Sequence, residues 1–354
     1  MRIRFVAIVV VALAVIGALL YVPGCDDDNP TGPVPVKDYP VYFTDINDTT
    51  SFIYTPSTGK IDSFHLPFAV RGMKSTADGR QLYITTLDST MVLDLATGEL
   101  STYISDGPRA TYFSPDGKLM AVGENGLTIL RVADQSVVYV DTSTVYGGIF
   151  SADSKSFYGL TRPNGDGIVY RVSLDSGFAV TRKAFVGSVE EIIPSADESK
   201  WFLYKWVTLY DWQFEVYDVL ADSIIFTKTF CPGYGWMALT PDNRYLFYTQ
   251  PGPQFSGVDP CERPCTITVF DIDNNVILSE IKVSSFYFFE GDSIPIDLPI
   301  GEVYVTPDSD WLVGLTCCHL GPFIALDINN LEVVRHENVG TFRHLSYLTG
   351  PIAR

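Results

Sequence analysis

The sequence predicts an all-β fold built from repeated antiparallel units, and three observations support this. A short turn pattern recurs six times, apolar stretches of strand length flank its copies, and turn-forming residues occur beside many aromatic residues. The chain has 354 residues, among them 28 Gly, 22 Pro, 22 Phe and 20 Tyr. Frequent turn residues combined with aromatic residues favour short strands joined by tight turns.

The recurring turn consists of a hydroxyl residue, then Pro or Ala, then Asp, then a turn residue. Its copies begin at Thr76, Ser114, Ser151, Ser195, Thr240 and Thr306. We expect each copy to be a hairpin turn, because an apolar stretch such as residues 119–122 follows it. The Asp side chain can accept hydrogen bonds from free backbone amides of the turn.

A third and a fourth strand follow each hairpin. The third ends at a second turn, as in residues 92–98, and residues 137–140 are an example of the fourth. Four antiparallel strands in a repeat of about 40 residues are typical of a propeller blade, with strands labelled A (innermost) to D (outermost).

The two ends of the chain supply one blade between them. Residues 39–64 have the pattern of strands B, C and D without a preceding A, and residues 343–349 match the apolar lead-in to the turn. The sequence therefore predicts a seven-bladed β-propeller over residues 39–354, closed by a C-terminal inner strand that joins the N-terminal blade. This closure removes an exposed sheet edge.

The repeats resemble those of the YVTN-type and lactonase-like propeller families. The best-matching stretch runs from Ala77-Asp78-Gly79 through Leu95-Ala96-Thr97-Gly98, and the resemblance covers residues 39–350. It implies the fold and not a function, because these repeats build blades. Lactonase activity would follow from family membership, but no residues here match a lactonase site one by one, so no catalytic residue is assigned.

The amino terminus has the order of an export signal. Arg2 and Arg4 precede an apolar stretch from Phe5 to Val22, and Val22-Pro23-Gly24-Cys25 resembles a bacterial lipobox. The resemblance implies a lipoprotein signal peptide at 1–24, a lipid such as palmitate on Cys25, and an acidic Pro- and Gly-rich tether at 25–38. We expect an exported protein of the cell envelope, with an uncleaved membrane anchor or a secreted protein as alternatives.

Composition excludes several classes of protein. With 24 basic and 42 acidic residues the net charge is -18, which disfavours binding to nucleic acid. A hydrophobic content of 46% with 19% charged residues excludes a disordered chain. The chain has no nucleophile-elbow, zinc-protease or phosphate-loop motif, so no cofactor is predicted.

Insertions and aromatic residues concentrate on one predicted face. Two long additions, at 250–265 and 284–300, belong to a B–C loop and to a connection from strand D to the next strand A. Such loops emerge on one face, here called the loop face, whereas A–B and C–D turns emerge on the opposite turn face. Aromatic residues predicted at the loop face are Trp206, Tyr210, Trp212, Tyr234 and Trp236.

We therefore predict a recognition surface on blades five to seven for an envelope protein, a glycan or a small ligand. The alternative is that these aromatic rings pack beneath the two insertions. A structural role in a surface assembly is a further alternative.

The mouth of the central channel is a second candidate site. Counting back from the aligned turns places there Arg71, Arg109, Tyr146, Glu190, Glu191, Gly235, Trp236, Gly301, Glu302 and His344. These groups could hold a polar ligand or a cation, or could form a ring of compensating ion pairs. A hydrolase or lactonase-like enzyme using Glu190, Glu191, Glu302 or His344 with a divalent cation is the alternative function.

Five cysteines follow residue 230, at Cys231, Cys261, Cys265, Cys317 and Cys318. In an exported protein they favour disulfides, with Cys261 and Cys265 close enough in sequence for a local bridge. Cys231 could pair with Cys317 or Cys318. A metal site at Cys317, Cys318 and His319 is disfavoured, because adjacent strand residues point in different directions, and no metal is predicted.

Overall fold

The computed structural model describes residues 39–45, 49–76, 79–104, 110–123, 126–162, 166–208, 211–230, 235–250, 266–282, 284–289, 292–297, 300–316, 322–338 and 345–349. These residues form strands and turns, and no helix occurs among them. Seven sheets have four antiparallel strands each, and the innermost strands of neighbouring blades contact one another. The predicted seven-bladed β-propeller is confirmed.

The first three blades contain strands β1 to β11. They are β1 (Val41–Asp45), β2 (Thr50–Thr55), β3 (Lys60–His65), β4 (Gly72–Ser75), β5 (Gln81–Thr85), β6 (Thr90–Asp94), β7 (Leu100–Ile104), β8 (Ala110–Phe113), β9 (Leu119–Gly123), β10 (Leu127–Arg131) and β11 (Val137–Asp141).

Blades four to six contain the next twelve strands. They are β12 (Gly147–Phe150), β13 (Ser156–Thr161), β14 (Gly167–Ser173), β15 (Val180–Phe185), β16 (Ser188–Pro194), β17 (Lys200–Thr208), β18 (Asp211–Asp218), β19 (Ser223–Phe230), β20 (Met237–Leu239), β21 (Tyr245–Gln250), β22 (Thr266–Asp271) and β23 (Val276–Lys282).

The remaining strands form a separate hairpin, blade seven and the closing strand. They are β24 (Ser284–Phe289), β25 (Asp292–Asp297), β26 (Ile300–Val305), β27 (Trp311–Thr316), β28 (Pro322–Asp327), β29 (Glu332–Asn338) and β30 (Leu345–Thr349). The hairpin β24–β25 occupies the second predicted insertion and belongs to no blade.

The ring closes as the repeat pattern predicts. Strand β30 pairs antiparallel with β1, with Thr349 opposite Tyr42, and becomes the innermost strand of blade one. It also contacts β26 of blade seven and β4 of blade two. Closure therefore joins the two ends of the described chain through one shared sheet.

The predicted hairpin turns are confirmed, with the hydrogen bonds expected of their residue types. In one copy the Ser114 hydroxyl accepts from the amide of Leu119 at 2.8 Å, and Asp116 accepts from the amide of Lys118 at 3.1 Å. The fourth residue has a positive φ in all six copies, between 57° at Glu198 and 70° at Gly117. Gly and Asn tolerate this conformation best. The Glu198 carboxylate accepts a hydrogen bond from Arg171 Nε at 2.8 Å.

The hydrophobic core lies between the sheets. At the interface of blades five and six, the rings of Phe202, Tyr204, Phe214, Tyr248 and Phe270 are fully buried. Burying one such side chain contributes roughly 1.5–3 kcal/mol, so the blades hold one another in place through their broad faces. This packing does not use the strand edges that line the channel or the loops at the two ends of each blade, so a binding site can form in either region.

Blade five extends further on the loop face than its neighbours. Strand B begins five residues after the turn hydroxyl in blades two to seven, yet β17 has 9 residues where β5, β9, β13, β21 and β27 have 5 or 6. The extra length must therefore lie at the loop end. Three further residues extend the β17–β18 hairpin by about 10 Å.

Candidate functional site

The extended hairpin of blade five carries Trp206 and Trp212, two of the aromatic residues that the sequence places on the loop face. Trp206 and Trp212 are directly opposite each other on β17 and β18, with ring centroids 6.4 Å apart and an interplanar angle of 19°. Trp212 in turn lies 5.1 Å from the ring of Tyr204, which stacks on Phe230 at 5.6 Å. The aromatic stack of blade five consists of these four rings, which run from the surface into the core.

The stack exposes a single indole. Trp206 is 38% exposed, whereas Trp212 is only 6% exposed. Trp236 of blade six packs against a core cluster shared with blade seven, and its amide donates to Thr249 Oγ1 at 2.9 Å. Trp212 and Trp236 thus pack against the cores between blades, and Trp206 remains at the surface. Tyr210 and Tyr234 lie outside the described residues.

Polar groups continue the hairpin beyond Trp206. The Thr208 hydroxyl donates to Asp211 Oδ2 at 2.8 Å, and both residues are exposed. The pairing register shifts between Trp206 and Thr208, so the strand carries a bulge there. Bulges redirect side chains and are frequent next to functional sites.

The backbone behind Trp206 is held in place by a tight crossing. Gly187, with φ at 82°, connects blade four to blade five, and a Cβ on it would lie 2.6 Å from the carbonyl oxygen of Trp206 and 2.9 Å from Cα of Val207. Its own carbonyl accepts from the amide of Gly167 at 2.6 Å. Only glycine fits this close approach, which fixes the connection against β17.

A buried ion pair lies directly below this crossing. Lys205 and Glu215 are 2% and 4% exposed, and their Nζ and Oε2 atoms are 2.7 Å apart. Lys205 also donates to the carbonyl of Val186 at 3.2 Å. A charge pair removed from water needs such close geometry and further hydrogen bonds to offset its desolvation. Sequence reasoning missed this pair, because both residues occupy strand positions that alternate with apolar ones.

The channel mouth between blades four and five contains an ion pair. Arg162 forms a salt bridge with Glu190 and lies 4.0 Å from the ring centroid of Tyr146. The Tyr146 hydroxyl donates to the carbonyl of Val189 in the next blade. Arg162 follows strand B of blade four and was absent from the predicted set, because the count back from the turns sampled strand A alone.

Glu191 faces the channel at the junction of blades five and six. Its Oε2 accepts a hydrogen bond of 2.9 Å from the amide of Met237. Burial raises the pKa of Glu191 to about 8. The hydrogen bond from Met237 lowers this pKa, the negative charge of Glu302 raises it further, and the positive charge of Lys74 lowers it. At neutral pH the Glu191 carboxyl is therefore predominantly protonated, and the charges that act on it come from Glu302 of blade seven and Lys74 of blade two.

Three other predicted site residues lie within the described part of the chain. Arg71 is exposed, and its amide donates to the carbonyl of Thr85 at 2.7 Å within blade two. Gly235 lies against the ring of Tyr204. Gly301 is on β26.

Arg109, His344, and the cysteines at Cys25, Cys231, Cys261, Cys265, Cys317 and Cys318 lie outside the described residues. Within the described ranges, no group of three His, Cys, Asp or Glu side chains could hold a metal ion. No helix in the described part of the chain is long and apolar enough to cross a membrane, and the apolar stretch at 5–22 is not in that part.

No protein-family model and no curated protein sequence matches the chain. Its fold is similar to that of a chain of the mitotic checkpoint complex, with a TM-score of 0.59, 12% identity, and coverage of 91% of this chain and 91% of that chain. Kuenenia stuttgartiensis hydrazine synthase gives a TM-score of 0.58 at 14% identity, covering 77% of this chain and 81% of that one.

The β-propeller domain of Cps50 (Swd1) from Myceliophteria thermophila gives a TM-score of 0.56 at 11% identity, covering 77% of this chain and 87% of that one. At such identities the similarity concerns the fold alone and carries no activity across. The described sheets and these similarities together show that the chain is a β-propeller.

Proposed function

We propose that this chain is an exported, lipid-tethered β-propeller of the bacterial cell envelope that binds a partner through its loop face. The proposed cellular location rests on three features of the sequence, which are an export-type apolar stretch, the lipobox-like Val22-Pro23-Gly24-Cys25, and an acidic tether. The turn pattern that resembles YVTN-type propellers accords with such a role. A net charge of -18 makes anionic lipid an unfavourable partner for the body itself, so the lipid on Cys25 would hold the chain at the membrane.

The observation that carries the binding role is the exposed indole of Trp206. Tryptophan is enriched among residues that dominate binding energy, and its exposure on a soluble surface is uncommon. Here the ring sits on a projecting hairpin and is supported from beneath by Trp212, with parallel ring planes. A rigid aromatic side chain loses little conformational entropy on binding, which favours recognition.

Capture from envelope extract tests the proposal. The full chain in detergent should retain a partner, and Trp206→Ala should lose most of it. Leu220→Ala is the matched control, since Leu220 is 92% exposed but lies in a C–D turn on the opposite face. Equal capture by wild type and Trp206→Ala would contradict the role of the loop face.

Anchoring is tested independently of binding. Cys25→Ser should release the protein from membranes, because the new side chain cannot carry a thioether-linked lipid. Membrane association that persists in this variant would instead support an uncleaved apolar anchor.

A second candidate function, an envelope hydrolase of the lactonase-like kind, is favoured by one observation. Glu191 keeps a proton at neutral pH, which is the state a general acid needs. Metal analysis of the purified protein discriminates, because the divalent cation in this hypothesis must be present in stoichiometric amount. Glu191→Gln should then abolish hydrolysis of lactone substrates, and unchanged turnover would exclude Glu191 as the acid.

A further inference from the structure

We propose that the projecting hairpin of blade five is a saccharide subsite, in which one pyranose ring of a non-acidic glycan stacks on Trp206 and its hydroxyls bind Asp211 and Thr208. This inference rests on the proposed binding function and names the class of ligand. It uses the described residues of β17 and β18 alone.

The platform is preformed. Trp206, Trp212, Tyr204 and Phe230 make successive ring contacts of 6.4, 5.1 and 5.6 Å, so the exposed indole lies on a stack anchored in the core. The strand that carries it is fixed from behind by Gly187. A sugar ring presents an apolar face of C–H groups, which an indole of this kind can cover without rearrangement.

The polar rim is placed where hydroxyls of a stacked sugar would reach. Thr208 is two residues beyond Trp206, which corresponds to about 7 Å along an extended strand. Its hydroxyl and the Asp211 carboxylate are 2.8 Å apart and exposed. An ionised carboxylate accepts strong hydrogen bonds from hydroxyl donors, and a hydroxyl can both donate and accept.

A saccharide fits this surface better than a protein partner. Protein interfaces of standard size need about 800 Å² on each side and a fully buried apolar core. Among the described residues of the loop face, the exposed large apolar side chains are Leu87 of blade two, Val186 of the connection into blade five, and Trp206, so few of them lie near Trp206. One indole bordered by Thr208 and Asp211 provides the small mixed contact that a sugar ring needs.

Charge restricts the saccharide class. Asp211 stands at the rim of a protein whose net charge is -18, so uronic-acid or sialylated glycans would be repelled. Neutral sugars, and sugars with an amino or acetamido group that donates hydrogen bonds, avoid this repulsion. The subsite therefore selects non-acidic hexoses or hexosamines.

The test is a glycan array of neutral, amino-substituted and acidic oligosaccharides, probed with the full chain in detergent. Wild type should bind a subset of non-acidic glycans, and titration with such a glycan should change tryptophan fluorescence. Trp206→Ala should weaken binding about tenfold, in line with the loss of an aromatic contact. Trp206→Phe should retain most of the affinity, Asp211→Asn should weaken it, and Leu220→Ala should leave it unchanged.

Two results would overturn the subsite. One is that wild type binds no non-acidic glycan on the array, and the other is that Trp206→Ala, with an unaltered circular dichroism spectrum, binds as wild type does. A chain that captures a protein partner through Trp206 but binds no glycan would refute the saccharide class and leave the proposed binding function standing. Failure of both capture and glycan binding would reject the two together.

Discussion

Breaking the buried ion pair of blade five should cost far more stability than breaking an exposed one. Lys205 and Glu215 are almost inaccessible to water, with an N–O distance of 2.7 Å. Lys205→Met leaves the Glu215 carboxylate buried without its counter-charge. Loss of one partner from such a pair costs about 3–5 kcal/mol, and Glu215→Leu should cost a similar amount by orphaning the ammonium.

The double variant separates the interaction from the individual side chains. With both charges gone, apolar residues of similar size should pack between blades four and five, and most of the loss should be recovered. The carbonyl of Val186 still loses the donor Nζ of Lys205, which leaves a deficit of about 1–3 kcal/mol. The double-mutant cycle should therefore give a coupling energy of at least about 3 kcal/mol.

The assay is equilibrium urea unfolding of the full chain in detergent, followed by far-UV circular dichroism, with midpoint and slope compared across variants. Lys228→Met is the matched control, because Lys228 pairs with Glu280 between blades five and six at a site where Glu280 is 43% exposed. Lys228→Met should lower the free energy of unfolding by less than about 1 kcal/mol. The reasoning would be refuted if each single substitution in the buried pair lowered the free energy of unfolding no more than Lys228→Met does. It would also be refuted if the losses of the two single variants summed to the loss of the double variant.

Two further predictions concern the channel and the crossing behind Trp206. Because the pKa of Glu191 is raised to about 8 in the folded state, its protonation stabilises the fold fully below its unfolded pKa and this contribution is lost as pH rises toward 8. In Glu191→Gln, the free energy of unfolding should therefore fall less steeply between pH 5 and 8 than in wild type, by at most about 1.4 kcal/mol per pH unit. Wild-type and variant curves of unfolding free energy against pH that run parallel would contradict this prediction. Gly187→Ala should lower the melting temperature more than Gly177→Ala, because both residues have positive φ but only Gly187 faces backbone atoms of Trp206 and Val207 at 2.6 and 2.9 Å. Equal shifts for the two alanine variants would show that the crossing is not tight.

Much of the architecture was predictable because local chemistry encodes it. The turn beginning at Ser114 needs a hydroxyl, an aspartate and a residue that accepts positive φ, and all three lie within four residues of one another. Such short-range requirements recur in blades two to seven and make the repeat visible. Closure by residues 345–349 followed from the same pattern, since the missing inner strand had to lie at the other end of the chain.

The candidate site was only partly predictable. Trp206 and Trp212 are both aromatic residues near the end of a strand, yet one is exposed and the other is part of the core. Nothing in their local sequence distinguishes them, because Trp212 is buried in a cluster that includes Met237 and Tyr248 of blade six, and that cluster forms only when the two blades pack together. Likewise, the bond from Arg162 to Glu190 joins two blades across 28 residues.

By itself, the sequence determined the strand order, the number of blades and the way in which the ring closes, because turn residues and apolar periodicity act over a few neighbouring positions. Tertiary structure alone decided which indole reaches the surface, which charges are buried as a pair, and which carboxyl keeps its proton in the channel. Those properties depend on desolvation and on groups contributed by neighbouring blades, whose proximity arises only when the sheets are packed into a ring.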